Sequence, residues 1–348
     1  MAYTTINKST DYFNTVLYSG TGSAQSITGV GFQPDWLWQK SRSNSQDGRI
    51  FDAVRGGSKV IYPSLANAES TDAQLITSFD SDGFTMGSAG GNVNDSGTTN
   101  VAWAWKANGA GVSNTDGSIT STVSASTTSG FSIVKWTGTS ASATIGHGLG
   151  AVPKMIIIKS LANATFWMVY NSAIGNNSEI YLNRADYGAS SSSTAWQDTD
   201  PTNQVFYVGG GSGDGVNASG DYIAYCFAEK QGFSKFSTYT GNGNADGAFI
   251  YTGFKPAWIM MKKTSGSGYH WVIFDNKRLG YNDANKRFEA SSTAAEADTS
   301  PAGQIDLLSN GFKIRTTDGH IADSGEYLYL AFAEAPLVGS NNVPCTAR

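Results

Sequence analysis

Few side chains in this sequence could do chemistry. His147, His270 and His320 are the only histidines, and none stands in an H-x-x-x-H or Cys/His spacing that would hold zinc. His147 lies in a Gly-His-Gly turn, His270 just before Trp271, and His320 in Asp318-Gly319-His320, with no common context. Structural or surface roles are expected for all three, with no shared site, no metal and no cofactor. A G-x-S-x-G nucleophile elbow is missing. The glycine runs at 209–213 and 241–244 match neither G-x-G-x-x-G nor a phosphate loop, and read as hairpin turns. Glycoside hydrolysis needs two carboxyl groups across a scissile bond. Asp80 and Asp82 bracket a turn, and a matching turn further on reads Ser309-Asn310-Gly311, so this is turn chemistry. No catalytic residue is assigned.

Asp198 and Asp200 are more informative. They sit in Trp196-Gln197-Asp198-Thr199-Asp200-Pro201, within a polar excursion at 183–203. No strand pattern surrounds Trp196, unlike Trp36, Trp38, Trp103, Trp105, Trp167, Trp258 and Trp271, which read as core. An exposed indole beside carboxylates and amides can stack on the apolar face of a sugar while the oxygens bind its hydroxyls. Tyr187, Trp196, Asp198, Asp200 and Asn203 are therefore the candidate ligand-binding set.

The elements that must position these residues are strands. Gly is 41 of 348 residues, the charged share is 15%, and short aromatic runs are cut by Gly, Ser, Asn and Asp. That pattern predicts an all-β fold. The net charge of −5 with no basic cluster argues against nucleic acid as a partner. Cys226 and Cys345 are expected as free thiols of a reducing compartment. The start shows no secretory signal pattern, and no apolar run approaches the roughly 20 residues of a membrane helix, so no membrane insertion is expected.

Internal repetition organises the chain. Gly31-Phe32-Gln33-Pro34-Asp35-Trp36-Leu37-Trp38-Gln39-Lys40 returns as Gly150 to Lys159 and again as Gly253 to Lys262, with Gly, Pro and Lys at fixed offsets. The block predicts a proline-led strand, apolar on both faces and buried, with the lysine marking the return to solvent. Each copy spans roughly 100 residues, the size of a β-sandwich and too long for a solenoid repeat. The expected architecture is three tandem antiparallel β-sandwich modules, of jelly-roll or concanavalin-like type. Their bounds are 10–107, 128–230 and 231–336, with a Ser/Thr/Gly-rich flexible linker at 108–127 and a loose tail at 337–348. Modules two and three should hold a fixed geometry across Lys230-Gln231-Gly232.

Several segments carry a resemblance. They are Thr10 to Thr15, Ile27 to Asp35, Phe51-Asp52-Ala53-Val54-Arg55-Gly56, Ser78 to Phe84 and Tyr222 to Glu229. Together they resemble a domain-of-unknown-function family of marine tailed-phage virion proteins, over about residues 10–336. The resemblance implies a tail-fibre, receptor-binding or head-surface component and carries no catalytic position. On that basis the expected function is non-enzymatic recognition of a host cell-surface polysaccharide at the virion surface, after assembly in the host cytoplasm. Capsid decoration is the alternative, and a glycan-degrading enzyme is disfavoured. Expected partners are other virion proteins of the tail or capsid, with homo-oligomerisation.

Overall fold

Alternation along the last strand of each copy sets the architecture. In Thr99–Trp105 the large Val101, Trp103 and Trp105 fall on one face and the small Ala102 and Ala104 on the other, since successive strand side chains point oppositely. A second sheet can lie close over the small face, whereas the large face needs a deep apolar partner. The computed structural model, which describes residues 3–88, 93–185, 190–191, 194–211, 216–278, 282, 284–299 and 304–338, supplies both.

The protein is all-β. Its described residues form several antiparallel sheets, and their only helical element is one 3-10 turn, Ser9–Asp11. One strand order occurs three times. Phe13–Ser19, Thr99–Trp105, Trp36–Ser41 and Arg49–Asp52 lie side by side in that order. So do Phe131–Gly138, Gly220–Phe227, Met155–Ser160 and Met168–Asn171, and then Ser234–Gly241, Gly325–Pro336, Phe254–Lys263 and Val272–Asp275. The proline-led strand is central each time, which explains why it is buried along its whole length. Trp38 pairs with Trp103, Ile157 with Tyr225 and Met260 with Leu330, so residue equivalence between copies can be read from the register.

A smaller sheet accompanies each large one. In the first copy Gln25–Thr28, Gly83–Met86 and Ile76–Asp80 form it, and Ile27, Phe84 and Met86 pack with Leu37, Phe51, Ala102 and Ala104. In the second, Ala143–Gly146 pairs with Val205–Val208, and Ile145 and Phe206 join Ile156, Ile158 and Ala224. In the third, Phe249–Tyr251, Gly311–Ile314 and Ile305–Leu308 play this part.

The opposite, large faces meet one another. Trp36 lies 4.7 Å from Tyr225 between ring centroids, Trp105 lies 5.5 Å from Trp258, and Phe227 lies 6.0 Å from Phe332. These contacts join copies one and two, one and three, and two and three. A single apolar cluster therefore draws on all three copies, from Ile6 to Ala333. Burying so many rings together is a strong driving force, because aromatic side chains dominate core energetics.

The structure departs from two expectations. The segment 108–127 is not a free linker: Val112–Asn114 and Ser121–Ser126 extend the second copy's sheet beyond Phe131–Gly138. The backbone N–H groups of Ala107 and Gly109 also donate to the Asp35 carboxylate of the first copy at 2.7 and 3.1 Å. Small polar residues serve at a sheet edge as readily as in a linker, and the register of Val123 opposite Val134 is what separates the two. Second, Lys40, Lys159 and Lys262 do not return to solvent; they are 2%, 0% and 1% exposed. Cys226 is a free, buried thiol, and Cys345 lies outside the described residues.

Candidate functional site

The excursion at 183–203 is not the open platform that its composition suggests. Trp196 is 1% exposed, its indole N–H donates to the Ser178 carbonyl at 3.2 Å, and its ring meets Tyr170 edge-on at 5.5 Å. It is a core residue reached from a turn, so it lacks the flanking alternation that marks a strand tryptophan. Gln197 and Asp198 take positive φ values of 56° and 49°, which folds the chain sharply back. The Gln197 amide then donates to the carbonyls of Ala143 and Val208, pinning the turn to the small sheet. Asp198, Asp200 and Asn203 are exposed. Asp200 accepts from the Tyr170 hydroxyl at 3.1 Å and from Asn176 at 3.0 Å. Asp198 borders a hollow with Thr194, Gln197 and Gly210. Tyr187 lies outside the described residues. The candidate set therefore loses its aromatic platform and keeps its surface oxygens.

The buried polar groups converge instead on the seams between copies. Each block lysine donates to a loop carbonyl of a neighbouring copy. Lys159 reaches Ala66 of copy one at 3.1 Å, Lys262 reaches Arg184 of copy two at 3.3 Å, and Lys40 reaches Ser292 of copy three at 3.0 Å. The three bonds run in one direction around a closed ring. Tryptophans follow the same rule at two seams. Trp167 donates to the Tyr62 carbonyl and Trp271 to the Tyr181 carbonyl, at 3.0 and 2.9 Å. Burial pulls Lys40 and Lys159 down to about 8, since an ammonium loses hydration there.

Two seams also contain buried ion pairs. Between copies one and two, Arg55 meets Asp52 at 2.5 Å and Glu69 at 3.1 Å, and the Tyr225 hydroxyl donates to Asp52 at 2.8 Å. Burial acts to lower the Arg55 pKa, but Asp52, Tyr225 and Glu69 outweigh it and hold the guanidinium charged. Between copies three and one, Arg278 meets Asp275 at 2.7 Å and Glu296 at 3.3 Å, and the Trp103 indole donates to Asp275 at 2.9 Å. Between copies two and three the equivalent positions hold Asn171, Ile174 and Leu330, with Ile174 packed on the shared core.

Histidines are brought together in one place that the sequence left apart. His270 and His320 stack at 5.9 Å with an interplanar angle of 10°. Asp318 bonds His320 at 2.9 Å, and Glu289 lies 3.6 Å from His270. Burial pulls His270 below its ordinary range; Glu289 opposes this, while His320, Lys262 and Arg287 reinforce it. His147 is fully buried, and burial likewise lowers its pKa. No group of three His, Cys, Asp or Glu among the described residues is placed to hold a metal ion. No helix among them is long and apolar enough to cross a membrane.

Sequence reasoning missed the seam residues, although a signal existed. The block lysine recurs at one offset in all three copies, and an Asp-x-x-Arg follows the next strand in two of them. A charge repeated at the end of a buried strand points to a shared structural partner.

This fold and these seams define an all-β protein in which three copies of one strand order surround a common aromatic core. Residues 8–336 match the family described as Domain of unknown function (DUF7483), and the chain belongs to that family. No curated protein and no solved structure matches the chain.

Proposed function

We propose that this is a non-enzymatic recognition protein of a phage virion surface, a tail-fibre or receptor-binding component that holds a host cell-surface glycan. In this reading each copy is a β-sandwich module and the three are fused into one rigid body. The supporting observation is the shared core, in which rings from all three copies touch. Recognition loops work best on a scaffold that does not flex beneath them. Asp198, Asp200 and Asn203 are surface oxygens on such a scaffold. The resemblance of the sequence to marine tailed-phage proteins supplies the virion context.

The cyclic seam contacts favour a second reading, capsid decoration. A body with approximate threefold character suits a threefold position on a shell, where each copy could meet one neighbour. The two readings separate when purified full-length protein is offered to polysaccharide stripped from susceptible cells and to empty capsids. The first predicts saturable binding to polysaccharide only, and the second binding to capsids only. Release of reducing ends from the polysaccharide would contradict both.

A further inference from the structure

A cleft of about 370 Å³ opens along the seam between copies one and two, within the size range of small-molecule sites. Its walls belong to different copies. Copy one contributes Lys59 and Glu69, 3.6 Å apart, and copy two contributes Lys135 and Asp221, 2.8 Å apart. The side chains of Lys59, Lys135 and Asp221 are 38%, 36% and 40% exposed, so they can reach a ligand without any rearrangement of the fold. Val54 and Leu161 add apolar surface.

The other copies show what the scaffold itself requires here. Lys135 stands opposite Ile223, Leu17 opposite Val101, and Thr238 opposite Leu328, in equivalent registers. By the same register Asp221 corresponds to Thr99 and Glu326. A leucine and a threonine thus satisfy the fold in copy one where copy two places a lysine and an aspartate. Stability does not account for the exchange, since an exposed ion pair adds little to it. Copy three keeps a carboxylate, Glu326, but has Thr238 in place of the lysine, so the Lys135–Asp221 pair belongs to copy two alone, and it faces a second Lys–carboxylate pair across a concave space.

The charges choose the ligand. Lys59, Lys135 and the Arg55 guanidinium that also lines the cleft are matched by Glu69, Asp221 and the Asp52 buried against Arg55, so the charges sum to zero and an anion or a cation would meet repulsion as well as attraction. A hydroxyl group is both donor and acceptor, and a polyol finds partners of each kind here. We infer that this cleft binds a neutral, hydroxyl-rich saccharide, held between the Lys59–Glu69 and Lys135–Asp221 pairs with its C–H face on Val54 and Leu161. The inference rests on the reading that the protein recognises a host glycan, and it moves the site from the 183–203 excursion to the seam.

The test is isothermal titration of the full chain with dextran, mannan and galactan oligomers and with polysaccharide stripped from susceptible cells. Oligogalacturonate and inorganic phosphate serve as charged probes. The double variant Lys135→Leu/Asp221→Thr installs residues that copy one already uses, so it should melt like the wild type. It should bind the neutral saccharide at least tenfold more weakly. If the double variant melts early, Lys59→Gln on the opposite wall should produce the same loss. Unchanged binding by a folded variant would overturn the cleft site while leaving glycan recognition intact. Tighter binding of oligogalacturonate or phosphate than of any neutral saccharide would overturn the ligand class. If the wild type binds no saccharide at all, both the cleft and the glycan reading fall.

Discussion

The seam between copies one and two and the seam between copies two and three are built at equivalent positions with opposite chemistry. The first buries Asp52 and Arg55 and places the Tyr225 hydroxyl opposite them. The second holds Asn171, Ile174 and Leu330 in those places. The seam between copies three and one repeats the ionic solution with Trp103 as the facing donor. Acid, base and facing donor are therefore present together or absent together. Physical chemistry gives the reason: a complete buried ion pair can be exchanged for apolar residues at little cost, whereas half of one leaves an uncompensated charge. The comparison teaches that each seam is a unit, and that its members must change as a set.

The largest effects should come from damage to the shared core where two copies meet. Trp258 belongs to copy three, yet it packs on Trp103 and Trp105 of copy one as well as on Phe332. Trp258→Ala should lower stability by about 3–5 kcal/mol, the usual cost of truncating a buried tryptophan. Urea denaturation gives the value, and an unchanged midpoint would show that the ring bears no load between copies.

Asp52→Ala should cost a similar amount, about 3–5 kcal/mol, because Arg55 stays buried without its closest carboxylate. Asn171→Ala, at the equivalent position of the apolar seam, loses one bond to the Ala173 N–H and should cost only about 1 kcal/mol. Equal losses at the two positions would break the distinction between the seams. The triple variant Asp52→Asn/Arg55→Ile/Tyr225→Leu then rebuilds the first seam in the image of the second. It should recover most of the single-variant loss and lie within about 1–2 kcal/mol of the wild type. A triple variant less stable than Asp52→Ala would contradict the idea of exchangeable sets.

A smaller effect is a pH dependence. Lys159 titrates at about 8 in the folded protein, because it is buried, against about 10.4 in an unfolded chain. Between those values the unfolded state binds more protons, so this lysine's contribution to stability rises with pH across that window. Lys159→Met removes the contribution. The unfolding free energy of the wild type minus that of the variant should rise from pH 7 to pH 10 by about 2 kcal/mol. A difference that falls has the wrong sign.

Much of the fold was legible because turn and core residues carry local signals. Pro34 and Pro153 each lead into the central strand of a sheet, as their shared offset predicts, whereas Pro256 is the third residue of its strand Phe254–Lys263 and sits at a register shift, where a proline is tolerated. The union of the copies was less legible. A strand apolar on both faces says that each face is covered, and it does not say whether the cover is the copy's own second sheet or a neighbour. Only register and distance reveal that Trp36 meets Tyr225. For the candidate site, the irregular sequence around Trp196 suggests exposure, while the turn around Gln197 carries the indole inward. The cleft was invisible for a different reason. Lys59 and Lys135 are 76 positions apart in the sequence and come together only when two copies dock.

The central claim is that the three copies are one cooperative body, and differential scanning calorimetry of the full chain tests it most directly. A shared core predicts a single transition whose calorimetric enthalpy equals its van't Hoff enthalpy, with Asp52→Ala moving that whole transition to lower temperature. Two or three resolved transitions, with Asp52→Ala shifting only one of them, would contradict the account.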